Sequence, residues 1–126
     1  MSEVQAGWVD IELEDRDGQP VTVTMKPTPA AMVAISRRFG NMTNAMQAVL
    51  NRDVDAIINV AIQGAGLSQD KKAPARLEAQ IFRTGLNDVA ASCLKHTMIL
   101  QNGGKPLRED EIHDPGDPDA DDEGNY

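Results

Sequence analysis

Hydrophobic and polar residues alternate in the first part of the chain, with a period of two residues. From residue 9 to 14 apolar side chains alternate with acidic ones, and from residue 20 to 26 they alternate with Thr and Lys. This period is typical of half-buried strands, and the intervening Asp17-Gly18 is a strong turn signal. The pattern predicts a β-hairpin whose apolar face packs on other elements, because an isolated hairpin is only marginally stable in water.

The pattern then changes to a helical period, beginning with residues 29–39. Thr28 can cap a helix through its hydroxyl, and Pro29 suits the first helical position, where no backbone N–H is needed. Gly40 can adopt the left-handed conformation that ends a helix. The sequence therefore predicts a helix directly after the hairpin, with both of its ends marked.

Four further helices follow from similar signals. Thr43 or Asn44 can cap a short helix, Asp53 can cap the most strongly amphipathic helix, Pro74 opens another, and Asn87 can cap the last. The predicted fold class is α+β, mainly α: an N-terminal β-hairpin followed by a compact bundle of four to five short helices. The side chains expected in the core lie on apolar helical stripes and are Met32, Ile35, Ile57, Ile58, Ala61, Ile81, Val89 and Cys93.

Charge divides the 126-residue chain into two parts. Nine of its 20 acidic residues lie between 109 and 126, where there is no Lys or Arg, so residues 1–108 are nearly neutral. We predict a single domain over residues 1–108 and a disordered acidic tail over residues 109–126, because the tail has too few apolar residues to offset the entropy of ordering. Such a tail often only increases solubility, but it can also cover a basic partner surface.

Residues suited to catalysis or metal binding are few and isolated. Cys93 is the only cysteine, which excludes an internal disulfide or a cysteine cluster, and His96 and His113 lack the spacing of metal ligands. The segment 117–124 resembles a calcium loop, but Asp122 stands where that loop requires glycine. We expect neither an enzyme nor a bound cofactor or metal. The sequence also lacks nucleic-acid motifs, a signal peptide and a membrane-length apolar run, which favours a cytoplasmic protein that binds neither nucleic acid nor membrane.

Three arginines form the one local charge feature of residues 1–108. Arg37 and Arg38 end the first predicted helix, and Arg52 precedes the strongest one. They can simply be a solvated face, or they can form a docking patch for an acidic or helical partner. We take Arg37, Arg38 and Arg52 as the candidate partner-binding residues.

Several segments resemble the small tail assembly chaperones of long-tailed phages and gene transfer agents. They are the hairpin, KPTPAAMVAISRRFG at 26–40, the helix 53–63 followed by GAGLS, IFRTGL at 81–86, and the final helix ending in QNGGKP at 101–106. The resemblance covers residues 8–106. Each segment marks the boundary of a secondary-structure element, and other small α+β proteins can share such patterns. The acidic tail departs from the family pattern.

The resemblance implies a function in virion morphogenesis. It implies binding to the coiled-coil-prone tape measure protein and to the tail tube protein, weak self-association, and absence from the mature particle. It also raises the possibility of a longer product made by frameshifting. Two alternatives stay open: a structural tail or neck component retained in the virion, and a small regulatory protein that acts through its acidic tail.

Overall fold

The computed structural model describes residues 6–106, and the predicted acidic tail lies outside that range. Two strands are followed by five helices, which confirms the predicted α+β, mainly α fold. In chain order the elements are β1 (Val9–Glu14), β2 (Pro20–Met25), α1 (Pro29–Phe39), α2 (Met42–Leu50), α3 (Val54–Ala65), α4 (Ala73–Thr84) and α5 (Leu86–Gln101).

The two strands form an antiparallel sheet with one polar face and one buried face. In the register that pairs Ile11 with Val23, the hydroxyl of Thr22 donates to the Glu12 carboxylate at 2.9 Å. Thr24 donates to Asp10 in the same way at 2.7 Å. The opposite face buries Val9, Ile11, Leu13 and Met25. The alternation in the sequence thus sets the register, because a shift by one residue would expose the whole apolar set.

The helices cover the apolar face of the hairpin and hold its strands at two points. β1 packs on α4 and α5, and β2 packs on α3. The backbone N–H of Lys26 donates to the Gly64 carbonyl at 2.9 Å, and that of Glu14 donates to the Thr84 hydroxyl at 2.9 Å. The hairpin is therefore part of the same core as the bundle.

Helix starts agree with the sequence signals in two cases. The Thr28 hydroxyl accepts from the Ala31 N–H at 3.0 Å, and the Asp53 carboxylate accepts from the Ala56 N–H at 3.2 Å. Both caps are as predicted. Pro74 also lies in the first turn of α4, although that helix begins one residue earlier at Ala73.

The predicted caps of α2 and α5 are wrong. Asn41 caps α2 instead of Thr43 or Asn44, and the amide of Asn44 donates to the Phe39 carbonyl at the end of α1. Asn87 lies inside α5, which begins at Leu86 directly after Gly85. In both cases the Asn side chain has a partner in another element, and sequence spacing cannot indicate such a partner.

Seven of the eight predicted core residues are buried, and Met32 is the exception. Ile35, Ile57, Ile58, Ala61, Ile81, Val89 and Cys93 are all at most 8% exposed. The prediction for Met32 is wrong, because α1 turns Ala31 and Ile35 toward the core and leaves Met32 36% exposed.

Candidate functional site

An apolar depression follows the outer surface of α1. Its first part, about 150 Å³, is lined by Pro27, Thr28, Pro29, Met32, Leu100, Gly103 and Gly104. Its second part, about 320 Å³, is lined by Met32, Val33, Ser36, Arg37 and Met42. Because the two parts share Met32, we treat these residues as one surface, the α1 groove.

The local sequence explains why this surface is apolar and exposed. The contacts of Ala31 and Ile35 with the core fix the rotation of α1, so Met32 and Val33 face solvent at 36% and 41% exposure. Methionine side chains are flexible and polarisable, and surfaces that contain them adapt to different apolar partners. The α1 groove therefore has the composition of a binding surface for apolar side chains.

The three candidate arginines do not form a single patch. Arg37 lies exposed at the edge of the α1 groove and forms no ion pair with any residue between 6 and 106. Arg38 donates to the Asp55 carboxylate at 2.6 Å and so links α1 to α3. Of the three, Arg37 is the one that the structure places at the groove.

Arg52 holds elements of the fold together. Its backbone has φ of 62°, which turns the chain sharply between α2 and α3. Its side chain donates to the Asn87 amide oxygen at 2.9 Å and to the Leu50 carbonyl at 3.1 Å. These bonds connect the end of α2 to the start of α5, so Arg52 has a structural task that the sequence did not reveal.

A second apolar surface lies where α3, α4 and α5 meet. Val54, Glu78, Ile81, Phe82 and Leu86 line a depression of about 250 Å³, which we call the Phe82 groove. Phe82 itself is 87% exposed, the highest value among the large apolar residues described. The sequence did not predict a binding surface at these residues.

Cys93 and His96 are both buried in α5, and burial shifts the pKa of each side chain. Burial raises the pKa of the Cys93 thiol to about 12, so the group is protonated and unreactive at neutral pH. Burial lowers the pKa of His96 to about 4, and neither ring nitrogen has a hydrogen-bond partner among the described residues. Both side chains therefore act as parts of the core.

Between residues 6 and 106 no group of three or more His, Cys, Asp or Glu side chains is placed to hold a metal ion. Within the same residues no helix has the length and apolar character needed to cross a bilayer. Besides the two apolar grooves, the described surface has an open cleft of about 730 Å³ between α4 and the hairpin turn at residues 15–17, lined mainly by charged residues.

Pairs of adjacent apolar residues mark both grooves in the sequence. Met32-Val33 and Ile81-Phe82 each occupy two neighbouring helical positions, about 100° apart around the axis. When one face of a helix packs on the core, such a pair can place one member, or both, on the surface. This signal was present, but only tertiary packing shows which member is exposed.

In comparisons with models of protein families, with curated proteins and with solved structures, no match to this chain was found.

Proposed function

We propose that the protein is a phage tail assembly chaperone that binds the tape measure protein and assists assembly of the tail tube. The observation that supports this most directly is the α1 groove, with Met32 and Val33 exposed beside Arg37. The hairpin-plus-helices architecture agrees with the resemblance in residues 8–106. A fold alone does not indicate a function, so the proposed function rests on this surface.

The groove suits an amphipathic helix. Helical partners dock in apolar grooves through apolar side chains at positions i, i+3, i+4 and i+7, which form a strip along one side of the helix. The tape measure protein is long, helical and prone to coiled-coil formation, and therefore presents such strips repeatedly. Covering them with a small, adaptable domain keeps the long protein soluble until the tube forms around it.

Arg37 adds a charge preference to the apolar contact. A guanidinium at the edge of a groove favours helices that carry Asp or Glu beside their apolar strip. Because the Arg37 side chain is exposed, its contribution is expected mainly in the rate of association and in the salt dependence of binding.

The test is co-expression of the full chain with the tape measure protein encoded near it, followed by pull-down and a solubility assay. The wild-type chain is expected to bind the tape measure protein and raise its soluble fraction. Val33→Asp places a charge in the groove and is expected to abolish both effects, while Arg37→Glu is expected to weaken binding most at low salt. Ala91→Asp, at an exposed position of α5, serves as the matched control.

If the tape measure protein neither binds nor gains solubility, the proposal is wrong. Mass spectrometry of purified particles distinguishes the main alternative, because a chaperone is absent from them and a structural tail or neck component is present in stoichiometric amounts. A regulatory protein acting through its tail would lose binding on removal of residues 109–126 but keep it in Val33→Asp.

A further inference from the structure

The last described residues lie at one wall of the α1 groove. Gly103 and Gly104, just after α5, line the first part of this groove together with Met32 and Leu100. Gly104 also lies against Pro27, directly before α1. The residues from 107 onward are outside the described range, and the chain therefore enters that range from a position beside the groove.

Hydrogen bonds at the end of α5 fix this position. The Gly104 N–H donates to the Ile99 carbonyl at 2.9 Å, and the Asn102 side-chain amide donates to the Lys105 carbonyl at 3.3 Å. These bonds hold the backbone up to Lys105, so the chain reaches Pro106 at a defined place next to the start of α1.

The chemistry of the groove changes along its length. The first part is apolar and is lined by Met32 and Leu100. The second part combines Val33 with the hydroxyl of Ser36 and the guanidinium of Arg37, and both of these polar groups can donate hydrogen bonds. The groove therefore suits a segment that has an apolar residue at one end and carboxylates at the other.

The sequence directly after Pro106 has this order. Leu107 comes first, and Glu109 and Glu111 follow at alternate positions. In an extended chain these three side chains would share one side, while the two residues between them would point the other way. One side of the segment thus carries an apolar residue followed by two carboxylates.

The lengths agree as well. Pro29 and Arg37 are eight residues apart in α1, so about 12 Å separates them along the helix axis. Leu107 and Glu111 would be about 13 Å apart in an extended chain. Because the chain leaves beside Pro27, Leu107 can reach the apolar part of the groove while Glu111 reaches the guanidinium.

We propose that residues 107–111 bind across the α1 groove of the same chain. Leu107 fills the first part, and Glu109 and Glu111 bind the polar groups of the second. The segment is tethered next to its site, so it has a high effective concentration there and outcompetes a free acidic peptide. The contact is exposed and lies outside the core, and it therefore adds little to the stability of the fold.

This contact regulates access to the α1 groove. A helix that binds there must displace residues 107–111, so its apparent dissociation constant rises by the reciprocal of the fraction of molecules whose groove is empty. Helices that make many contacts overcome this competition, and helices that make few do not. The contact itself does not depend on the proposed function, whereas its effect on the tape measure protein does.

Paramagnetic relaxation in the full chain tests the contact without any partner protein. A nitroxide is attached to the cysteine introduced by His113→Cys, just beyond the segment, while Cys93 is buried and unreactive. The backbone amide signal of Val33 is expected to broaden more than that of Phe82, which lies on α4 outside the groove. This difference is expected to fall at least about twofold between about 0.15 M and about 1 M salt, because the Debye length decreases from about 8 Å to about 3 Å.

Matched substitutions identify the side chains that hold the segment. Arg37→Glu removes the guanidinium from the groove and is expected to reduce the broadening at Val33 by at least about twofold. Arg83→Glu changes the net charge equally at an exposed arginine of α4 and leaves the broadening unchanged. Leu107→Ser weakens the contact, whereas Ile112→Ser, a similar loss of apolar surface outside the segment, does not. The amide spectrum of each variant shows directly whether it is folded.

A mixture of nitroxide-labelled chain with isotope-labelled chain that carries no nitroxide shows whether the contact forms within one molecule, and no broadening is expected in it. Broadening in this mixture, equal broadening at Val33 and Phe82, or indifference to Arg37→Glu overturns the proposal. Loss of the broadening in Arg83→Glu alone assigns the segment to the cleft beside α4 and overturns it as well. Failure of the tape measure protein to bind refutes the proposed function and leaves these measurements unchanged.

Discussion

At the scale of single residues, packing is very close where α3 passes the hairpin and α5. Gly64 is buried there, and a Cβ atom built on it would lie 2.7 Å from His96 Nε2 and 2.8 Å from Cβ and Cγ of Met25. These separations are well below ordinary van der Waals contact. The absence of a side chain at residue 64 therefore allows three elements to meet, and a buried imidazole completes that contact.

Gly64→Ala is expected to destabilise the fold by about 1–3 kcal/mol, because the new methyl group overpacks the junction. This result would be opposite to the stabilisation of roughly 1 kcal/mol that alanine brings to an open helical position. Urea denaturation of the variant and the wild type measures the difference. A gain in stability would show that Met25 and His96 move aside easily.

His96 is expected to make the fold sensitive to mild acid. Its pKa is about 4 in the folded protein and about 6.5 when exposed, so the unfolded chain binds the proton more readily. The contribution of the neutral ring to stability is complete above about pH 6.5 and is lost as the pH falls toward 4. The difference of about 2.5 pKa units corresponds to a loss of about 3 kcal/mol.

Urea midpoints measured between pH 7.5 and 4 check this prediction. The variant His96→Leu is expected to show a flatter pH profile, whatever its absolute stability, because it removes the group that titrates in this range. The pKa of the Asp70 carboxyl is lowered by its hydrogen bond to the Lys72 N–H and by Arg76. Its contribution to the stability of the fold is therefore lost only at still lower pH. Identical slopes for wild type and variant would contradict the assignment to His96.

At the scale of elements, side-chain caps mark the starts of α1, α2 and α3, whereas α4 and α5 begin without one. Thr28 and Asp53 act within their own helices, so their sequence context identifies them. Asn44 and Asn87 bond instead to neighbouring elements, the first to the end of α1 and the second to Arg52. The turns between helices are thus held by contacts that local sequence rules do not contain.

Thr28→Ala is expected to lower stability by about 1 kcal/mol, since the Ala31 N–H loses its acceptor at the start of α1. Thr43→Ala provides a matched control at a residue that the sequence also allowed as a cap. Thr43 is exposed inside α2 and caps no helix, so its replacement should change stability by less than about 0.5 kcal/mol. Thermal or chemical denaturation compares the two, and equal losses would contradict the observed cap assignments.

At the scale of the whole molecule, one core joins the hairpin to all five helices, and the charge is distributed unevenly along the chain. The buried apolar residues of β1, β2 and α1 to α5 form a single cluster between Val9 and Leu100. The net charge of −8 arises mainly from residues 109–126. The described core therefore lies in a nearly neutral part of the chain, whereas most of the net charge belongs to residues outside the described range.

Truncation after Arg108 is expected to leave the melting temperature nearly unchanged, because the described core lies within the remaining residues. The formal charge changes from −8 to about +1, so solubility near neutral pH is expected to fall. Differential scanning calorimetry and a precipitation assay measure the two effects. A large decrease in melting temperature would show that residues beyond 108 pack on the body.

The sequence by itself determined the hairpin, the helical character of the rest of the domain, two of the helix caps and nearly all of the predicted core. These features depend on residue period and on local hydrogen bonds, which a short segment contains in full. Tertiary structure alone decided that Met32 and Phe82 face solvent, that Arg52 bonds across to Asn87, and that Arg37 lies at an apolar groove. The rotation of each helix is set by the elements packed against it, and so the surfaces available to partners emerge only from the assembled fold.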